Sequence, residues 1–285
     1  MEVNKIGVIG FGTMGSGIVT VSLVSGFDVT VCEVNEKAME NGKNILSKNL
    51  ARMERKGNLK KSSNEYINSL NCVFNIDELK DCDIVIEAAT ENKQLKLDIF
   101  KKLDNLMPKN TILATNTSSI SITEIAGVTN RAEKIIGMHF MNPVPMMKLV
   151  EVIRGIATSQ QTYDIVNDIS LKMDKTPVEV NDYPGFAVNR LLIPMINEAC
   201  FCLMEGVGKA ENIDTVMKLG ASHPMGPLAL GDLIGLDVCL SIMEVLYDGF
   251  KDSKYRPCPL LVKMVNAGYL GRKSGRGFYN YGEGK

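Results

Sequence analysis

The chain has 285 residues, of which 45% are hydrophobic and 23% are charged, a composition typical of a soluble globular protein with room for two domains. Its 32 basic and 33 acidic residues give a formal net charge of -1, so no global positive field favours nucleic acid as a partner. The seven cysteines include no CxxC pair, which argues against a disulfide framework and predicts no metal site.

The first predicted elements are a strand at Lys5–Ile9, a helix from about Gly12 to Ser25 and a strand at Val29–Cys32. The stretch from Ile6 to Phe27 carries no charge, a feature that signal peptides and membrane spans share. Six glycines within that stretch argue against both. We therefore expect no membrane partner and a cytoplasmic location.

Further along the chain, β-rich runs alternate with helical patterns, which is typical of βαβ units and a parallel sheet. After residue 184 the strand pattern stops and apolar residues recur with a helical period. The predicted helices are 35–56, 94–106, 188–206, 213–219 and 232–246, and the predicted strands are 83–88, 111–115, 135–139 and 149–153.

The sequence thus predicts an α/β protein with an N-terminal Rossmann-like doubly wound sheet and an all-α C-terminal domain. We place the first domain at residues 1–184 and the second at 185–285.

A glycine-rich loop follows the first strand and precedes the first helix: Gly10, Phe11, Gly12, Thr13, Met14 and Gly15 form GxGxxG. In that context the pattern predicts a dinucleotide site, because the glycines permit a tight turn, approach to the pyrophosphate and close helix packing. Glu33 ends the second strand, where a carboxylate binds the ribose hydroxyls and favours NAD over NADP. The alternative is a surface carboxylate, and nearby cations leave NADP open.

His139 is one of two histidines in the chain and ends a predicted strand. Hydride transfer from an alcohol requires a base that titrates near neutrality, which indicates an imidazole. Glu151, twelve residues on, lies in the next strand, and a turn between the strands can place its carboxylate beside the ring. The alternative is a structural histidine, the role we expect for His223 in its turn.

Two further polar groups are candidates for substrate contact. The hydroxyl-rich run 114–119 follows a strand and can hold a carbonyl or the amide of a cofactor. The alternative is an ordinary helix N-cap, a role that Ser121 or Thr123 would serve equally well. Asn189 opens the apolar helical region, and its amide needs partners, which a cleft between the domains would supply.

The whole chain resembles the L-3-hydroxyacyl-CoA dehydrogenases. The resemblance is carried by long strings in matching order, namely GFGTMG, IVIEAATEN, ILATNTSS, GMHFMNPVPMMKLVEVIRG, PGFAVNRLLIPMINEA, HPMGPLALGDLIGLD and GRKSGRGFYNY. It implies an NAD-dependent enzyme that interconverts a short-chain 3-hydroxyacyl-CoA and its 3-ketoacyl-CoA, with four carbons favoured, and that forms a homodimer through the C-terminal domain.

The same resemblance assigns roles residue by residue. It implies that His139 is the general acid/base, that Glu151 is its partner, and that Ser118 and Asn189 contact the oxygen at C3. Glu33 corresponds to the ribose-binding acid. The other residues implied at the cofactor are Ala88, Glu91, Lys96, Asn116, Ser118, Asn142 and Lys273.

Coenzyme A contacts are implied on the helix after the second strand, at Asn49 and Lys56 with Arg52 one turn away. The alternative is an ordinary solvated helix face, and Asn49 departs from the serine of some family members. Two other functions remain open at this point: a dehydrogenase acting on a free hydroxy acid, and a dinucleotide-binding protein without turnover.

Overall fold

The computed structural model describes residues 2–282, which form two compact units. The first unit ends at Tyr183 and the second begins at Pro184. Met1 and residues 283–285, which the predicted domains include, lie outside the described residues. Among residues 2–282, no helix combines the length and the apolar character needed to cross a membrane.

An eight-stranded sheet forms the centre of the first unit. Its strands are β1 (Lys5–Ile9), β2 (Asp28–Cys32), β3 (Asn71–Val73), β4 (Ile84–Glu87), β5 (Ile112–Thr115), β6 (Ile135–Phe140), β7 (Leu149–Arg154) and β8 (Thr176–Asn181). Their order in the sheet is β3-β2-β1-β4-β5-β6-β7-β8. Only β6 and β7 pair antiparallel among these neighbours. The predicted doubly wound, Rossmann-like α/β fold is therefore confirmed.

The burial of the central strands explains why their apolar runs predicted them from the sequence. Every residue of β4 and β5 is buried, as expected for parallel strands that are covered on both faces. The strand order reverses between β1 and β4, and ligands of such sheets bind at the carboxyl edge beside this reversal. The loops that follow β1, β4, β5 and β6 all leave the sheet at that edge, since these strands run parallel.

Six helices accompany this sheet: α1 (Thr13–Val24), α2 (Glu36–Arg55), α3 (Ser63–Ser69), α4 (Lys93–Leu106), α5 (Ile122–Ala126) and α6 (Gln160–Lys172). The sequence predicted α1, α2 and α4 to within two residues at each end. It assigned no element to α3, α5, α6, β3 or β8. Strand β3 has only three residues, and β8 contains Pro177 and is largely exposed, so neither carries a continuous apolar signal.

The second unit is helical, as predicted, with α7 (Val188–Met204), α8 (Ala210–Gly220), α9 (Pro227–Ile234), α10 (Leu236–Phe250) and α11 (Pro259–Asn266). The predicted single helix over 232–246 is wrong, because Gly235 adopts a φ of 107° between α9 and α10. A positive φ is incompatible with a continuous right-handed helix. Both flanking segments are apolar, which concealed the break.

Two buried carboxylates fasten the C-terminal tail onto the helices of this unit. Asp232 accepts hydrogen bonds from the backbone N–H groups of Phe278 and Tyr279, both at 3.0 Å. Asp214 accepts from the backbone N–H of Leu228 at 2.8 Å and from the hydroxyl of Tyr279 at 2.7 Å. The tail segment at Phe278 and Tyr279 is therefore held by specific hydrogen bonds as well as by apolar packing.

Candidate active site

The three glycines of the loop after β1 differ in what surrounds them. Gly10 has a φ of +90°, and a Cβ there would lie 2.7 Å from the carbonyl oxygen of Ala88. A Cβ on Gly15 would overlap the carbonyl oxygen of Gly10. A Cβ on Gly12 would meet no atom within 4 Å. The fold itself thus requires the first and third glycines, whereas the second leaves open space for a group outside the chain.

That open space lies at the N-terminus of α1, whose N-cap residue is Gly12. Glycine has no side chain to cap the helix, so the first N–H groups of α1 can bind an anion, and the helix dipole favours negative charge there. Thr13 is exposed and Met14 is half-buried at the same helix end. The residues present therefore fit the pyrophosphate of a dinucleotide.

Glu33 is held in place at the end of β2. Its Oε1 accepts a hydrogen bond from the backbone N–H of Phe11 at 2.6 Å, and its Oε2 accepts from that of Val34 at 2.9 Å. The ring of Phe11 is buried, and a Cβ on Gly42 of α2 would overlap it. The carboxylate therefore links the glycine-rich loop to the end of the second strand.

An open pocket borders Glu33, and sequence reasoning did not anticipate its apolar walls. It is lined by Val34, Asn35, Glu36, Lys37 and Phe74. The Val34 and Phe74 side chains are 84% and 52% exposed. Large apolar side chains exposed together often mark a binding surface.

A buried ion pair lies at the carboxyl end of β4. Lys96 Nζ donates to Glu87 Oε1 at 2.6 Å, and the two side chains are 1% and 0% exposed. Lys96 also lies 3.3 Å from Glu91 Oε2. Lys96, predicted at the cofactor, is thus fully enclosed, and Glu87 was missed. A carboxylate within the apolar run IVIEA was the available signal, since a buried charge needs a partner.

Glu91 in turn holds the loop after β5. Its Oε1 accepts from the hydroxyl of Thr117 at 2.6 Å and from the backbone N–H of Ser118 at 2.9 Å. Burial would raise the pKa of Glu91, but the Lys96 ammonium and these hydrogen bonds together hold it below its ordinary value. The carboxylate therefore stays ionised and keeps Ser118 at the edge of the sheet.

Asn116 joins the ends of β5 and β6. Its side-chain oxygen accepts from the backbone N–H of Phe140 at 2.9 Å, next to His139. Ser121, and not Ser118, is the N-cap of α5, where its hydroxyl accepts from the backbone N–H of Glu124. The N-cap alternative for this hydroxyl-rich segment therefore applies to Ser121.

His139 and Glu151 form the centre of the candidate site. They are direct partners across the antiparallel β6–β7 pair. His139 Nδ1 lies 2.7 Å from Glu151 Oε2, and the side chains are 9% and 1% exposed. The two side chains are therefore hydrogen-bonded, and the tautomer of the imidazole decides whether Nδ1 donates or accepts in this bond.

The predicted coenzyme A residues line one cavity of about 560 Å³ in the first unit. Asn49 is half-buried there, while Arg52 and Lys56 are exposed. Lys148 and Lys175 add two cations to the lining that sequence reasoning did not identify. The cavity is therefore suited to an anionic ligand.

Lys175 is buried in the wall of this cavity, with 6% of its surface exposed. Its Nζ donates to the carbonyl oxygens of Val144 and Met147 at 2.5 and 2.9 Å. Burial lowers its pKa to about 8, with a further contribution from the Lys148 ammonium. Lys175 thus fastens the loop between β6 and β7 to the cavity wall.

The other predicted residues are placed as follows. Asn142 is exposed in the loop after β6, and Ala88 donates its backbone N–H to Ile9. In the second unit, Asn189 is 9% exposed in the first turn of α7, and the ammonium of Lys273 pairs with Asp237. Within the described residues, no group of three or more His, Cys, Asp or Glu side chains is arranged to hold a metal ion.

Comparison with known proteins places both units in one family. A model described as "3-hydroxyacyl-CoA dehydrogenase, NAD binding domain" matches residues 5–183, and one described as "3-hydroxyacyl-CoA dehydrogenase, C-terminal domain" matches residues 185–281. The first match confirms the expectation of NAD as the cofactor.

Individual relatives agree with this assignment. A probable 3-hydroxybutyryl-CoA dehydrogenase of Bacillus subtilis is 58% identical, with 99% of each chain covered. A 3-hydroxybutyryl-CoA dehydrogenase of Clostridioides difficile is 54% identical over 97% of this chain and 99% of the relative. The crystal structure of an (S)-3-hydroxybutyryl-CoA dehydrogenase from Ralstonia eutropha superimposes with a TM-score of 0.95 at 49% identity, covering 98% of this chain and 99% of that one.

The Gly12→Ala variant tests whether the second glycine of the loop is needed for NADH binding and not for folding. The new Cβ meets no protein atom, so the free energy of unfolding should stay within about 0.5 kcal/mol of wild type. The methyl group would block the approach of the pyrophosphate, and the Kd for NADH should rise at least about tenfold, or about 1.4 kcal/mol. Urea unfolding and fluorescence titration measure the two quantities.

Gly42→Ala serves as the matched variant, because its Cβ would overlap the Phe11 ring. Overpacking should cost about 1–3 kcal/mol of stability. A Gly12→Ala protein with unaltered NADH affinity would contradict the placement of the pyrophosphate.

Lys175→Met tests the buried ammonium. The pKa of Lys175 is about 8 in the folded protein and has its ordinary value of 10.5 in the unfolded chain. Between these two pH values the folded protein holds the neutral amine, whereas the unfolded chain keeps the proton. The contribution of Lys175 to the free energy of unfolding therefore rises with pH across that window. The stability difference between wild type and Lys175→Met should shift in favour of wild type from about pH 7 to about pH 9.5, as measured by urea unfolding. Lys172→Met, at the exposed end of α6, is the control, and an equal shift in both variants would contradict the prediction.

Proposed function

The chain belongs to the 3-hydroxyacyl-CoA dehydrogenase family, and from this membership we propose that it interconverts (S)-3-hydroxybutyryl-CoA and acetoacetyl-CoA with NAD. The reaction would serve butanoate and fatty acid metabolism. The observation that carries the proposal is the buried His139–Glu151 pair at 2.7 Å. It supplies the proton-transfer group that a hydroxyl–ketone interconversion requires.

His139 acts as the general acid/base. In oxidation its neutral imidazole takes the proton of the 3-hydroxyl through Nε2. In reduction the imidazolium returns that proton to the oxygen at C3. Held by the glycine-rich loop and Glu33, the cofactor would supply the hydride acceptor for oxidation as NAD and the hydride donor for reduction as NADH.

Glu151 supports both directions. Its carboxylate accepts the Nδ1 proton of His139 and thereby fixes the tautomer in which Nε2 faces the substrate. The negative charge also stabilises the imidazolium that forms when the hydroxyl is oxidised. Because Glu151 is 1% exposed, water screens this interaction little.

Ser118 is proposed to turn its hydroxyl hydrogen from Glu91 Oε1, to which it donates at 3.1 Å, to the oxygen at C3, where negative charge develops during reduction. Its position is supported by the bond from its backbone N–H to Glu91. The family resemblance assigns the same contact to Asn189, and we retain this assignment as a proposal.

The proposed cofactor residues are described by the part of NAD that each would bind. The segment Gly10–Gly15 and the N-terminus of α1 bind the pyrophosphate, and Glu33 binds the ribose hydroxyls. We propose that the pocket of Val34 and Phe74 takes the adenine ring, since its exposed apolar walls suit a planar aromatic group. The remaining assignments, taken from the resemblance, are Ala88, Glu91, Lys96, Asn116, Ser118, Asn142 and Lys273.

The coenzyme A moiety would occupy the cavity lined by Asn49, Arg52 and Lys56. Coenzyme A carries several phosphate charges, and four cations line this cavity. The lining is the feature that favours a thioester substrate over a free hydroxy acid, which has no such anionic extension.

We also propose a homodimer through the second unit, as the family resemblance implies. Large apolar side chains are exposed on α7 and α8 and in the turn between them: Leu191 by 75%, Val207 by 72%, Val216 by 66% and Leu219 by 82%. Light scattering should give twice the mass of one chain. The cytoplasmic location stays a prediction.

A kinetic comparison of acetoacetyl-CoA and free acetoacetate, each with NADH and with NADPH, tests the proposed function. NADH absorbance should fall on addition of acetoacetyl-CoA, with much lower rates for free acetoacetate and for NADPH. Equal turnover of the free acid would favour a hydroxy-acid dehydrogenase. NADH binding without turnover of either substrate would favour a binding protein.

His139→Gln should lower kcat at least about 10²-fold, the scale of general acid/base catalysis, while NADH binding is retained. His223→Gln, which changes the other histidine of the chain, is the matched control and should leave kcat unaltered. A rate close to wild type in His139→Gln would remove His139 from the mechanism.

Lys56→Ala should raise KM for acetoacetyl-CoA about two- to fivefold, because an exposed ion pair contributes up to about 1 kcal/mol. KM for NADH should stay constant. Lys48→Ala is the control, since Lys48 is exposed on the same helix and is not part of the cavity lining. Equal effects of the two variants would place the coenzyme A phosphates elsewhere.

A further inference from the structure

Glu87, which forms a buried ion pair with Lys96, has no role in the mechanism described so far. Two charges that are 0% and 1% exposed are costly to desolvate, and their mutual attraction often only offsets that cost. A buried ion pair of this kind therefore need not contribute to the free energy of unfolding. Its contacts indicate what else it does.

Glu87 is fully engaged by groups at the carboxyl ends of β4 and β5. Its Oε1 accepts from Lys96 Nζ at 2.6 Å and from the backbone N–H of Ala89 at 2.7 Å. Its Oε2 accepts from the hydroxyl of Thr115 at 2.7 Å. Three donors converge on one carboxylate, and this fixes the Lys96 ammonium in a single position.

From that position Lys96 reaches Glu91 Oε2 at 3.3 Å. The other oxygen of Glu91 accepts from the hydroxyl of Thr117, from the backbone N–H and hydroxyl of Ser118, and from the hydroxyl of Ser119. An unbroken chain of ionic and hydrogen-bonded contacts thus runs from Glu87 to the loop that carries Ser118.

We propose that Glu87 is a positioning residue, which acts through Lys96 and Glu91 to hold the Thr117–Ser119 loop in the conformation that presents Ser118 to the substrate oxygen. The inference rests on the proposed function in its assignment of Ser118. Glu87 itself touches neither substrate nor cofactor in this scheme. Its carboxylate holds the Lys96 side chain in the position from which Nζ contacts Glu91.

A second buried ion pair on the same helix provides a matched control. Asp104, in the last turn of α4, pairs with Arg131 at 2.8 Å, and each side chain is 6% exposed. The Arg131 guanidinium also donates to the carbonyl oxygens of Met107 and Pro108, which precede β5. This pair therefore lies at the amino end of β5, at the opposite edge of the sheet from Ser118.

The experiment compares Glu87→Gln with Asp104→Asn. Glutamine keeps the shape of Glu87 but removes the negative charge beside the Lys96 ammonium, which then lacks this ionic partner in the network. We expect kcat/KM for acetoacetyl-CoA to fall about 10²-fold, the scale of a misplaced contact, and amide-exchange protection at Ser118 and Ser119 to drop. Asp104→Asn should lower Tm but leave kcat/KM and the protection at Ser118 at their wild-type values.

The proposal is overturned if Glu87→Gln lowers Tm alone, or if Asp104→Asn lowers kcat/KM as much. Should Glu87→Gln fail to fold, Glu87→Asp keeps the charge and withdraws it by one methylene. Wild-type kcat/KM and protection at Ser118 in that variant would overturn the proposal as well. A wild-type protein inactive on acetoacetyl-CoA would refute the proposed function, whereas amide exchange at Ser118 would still report whether Glu87 positions the loop.

Discussion

Two antiparallel strands hold the imidazole of His139 against the carboxylate of Glu151, and the register of these strands is the constraint on which the candidate site depends. Because side chains alternate between the faces of a strand, a slip of one residue would turn the carboxylate to the opposite face. Every residue of β6 is buried, and so are the central residues of β7, which opposes such a slip. The reversal of chain direction at β7 brings Glu151 back to the strand end at which His139 lies, as the proposed proton transfer requires.

The sequence predicted the framework of the fold well because its central strands are short, buried, mostly apolar and separated by helices. What it could not predict has physical reasons. Strand β8 is an edge strand with one proline and few buried residues, so its sequence resembles a loop. The apolar period continues across Gly235, and only the backbone angle of that residue separates α9 from α10. The formation of an edge strand or a helix break depends on contacts with neighbouring elements, and the periodicity of apolar residues along the sequence contains no information about those contacts.

The candidate site was predictable where a residue type and a strand end coincide, as for His139 and the glycine-rich loop. Partners were harder to infer. The direct pairing of Glu151 with His139 followed from a turn between consecutive strands, whereas the enclosure of Lys96 by Glu87 depends on a helix and a strand packing together. The position of Lys175 in the cavity wall was not predicted, for a similar reason. Its hydrogen-bond acceptors are backbone carbonyl oxygens, which every residue has and which therefore leave no signal in the sequence. Proposed roles for Ser118, Asn189 and the cofactor residues come from family resemblance and stay predictions.

The double anchoring of Glu33 has a consequence for protein engineering. A designer who wished to switch the enzyme to NADP would replace this acid with a cation that receives the 2′-phosphate. In this chain, the same carboxylate is also the acceptor for the backbone N–H groups of Phe11 and Val34. A single exchange at this position would therefore leave two amides without their acceptor and loosen the glycine-rich turn, which is the proposed site of the pyrophosphate. If Glu33 binds the ribose as proposed, coenzyme preference and the conformation of the loop are coupled through this one side chain, and a successful redesign has to supply a substitute acceptor along with the new charge.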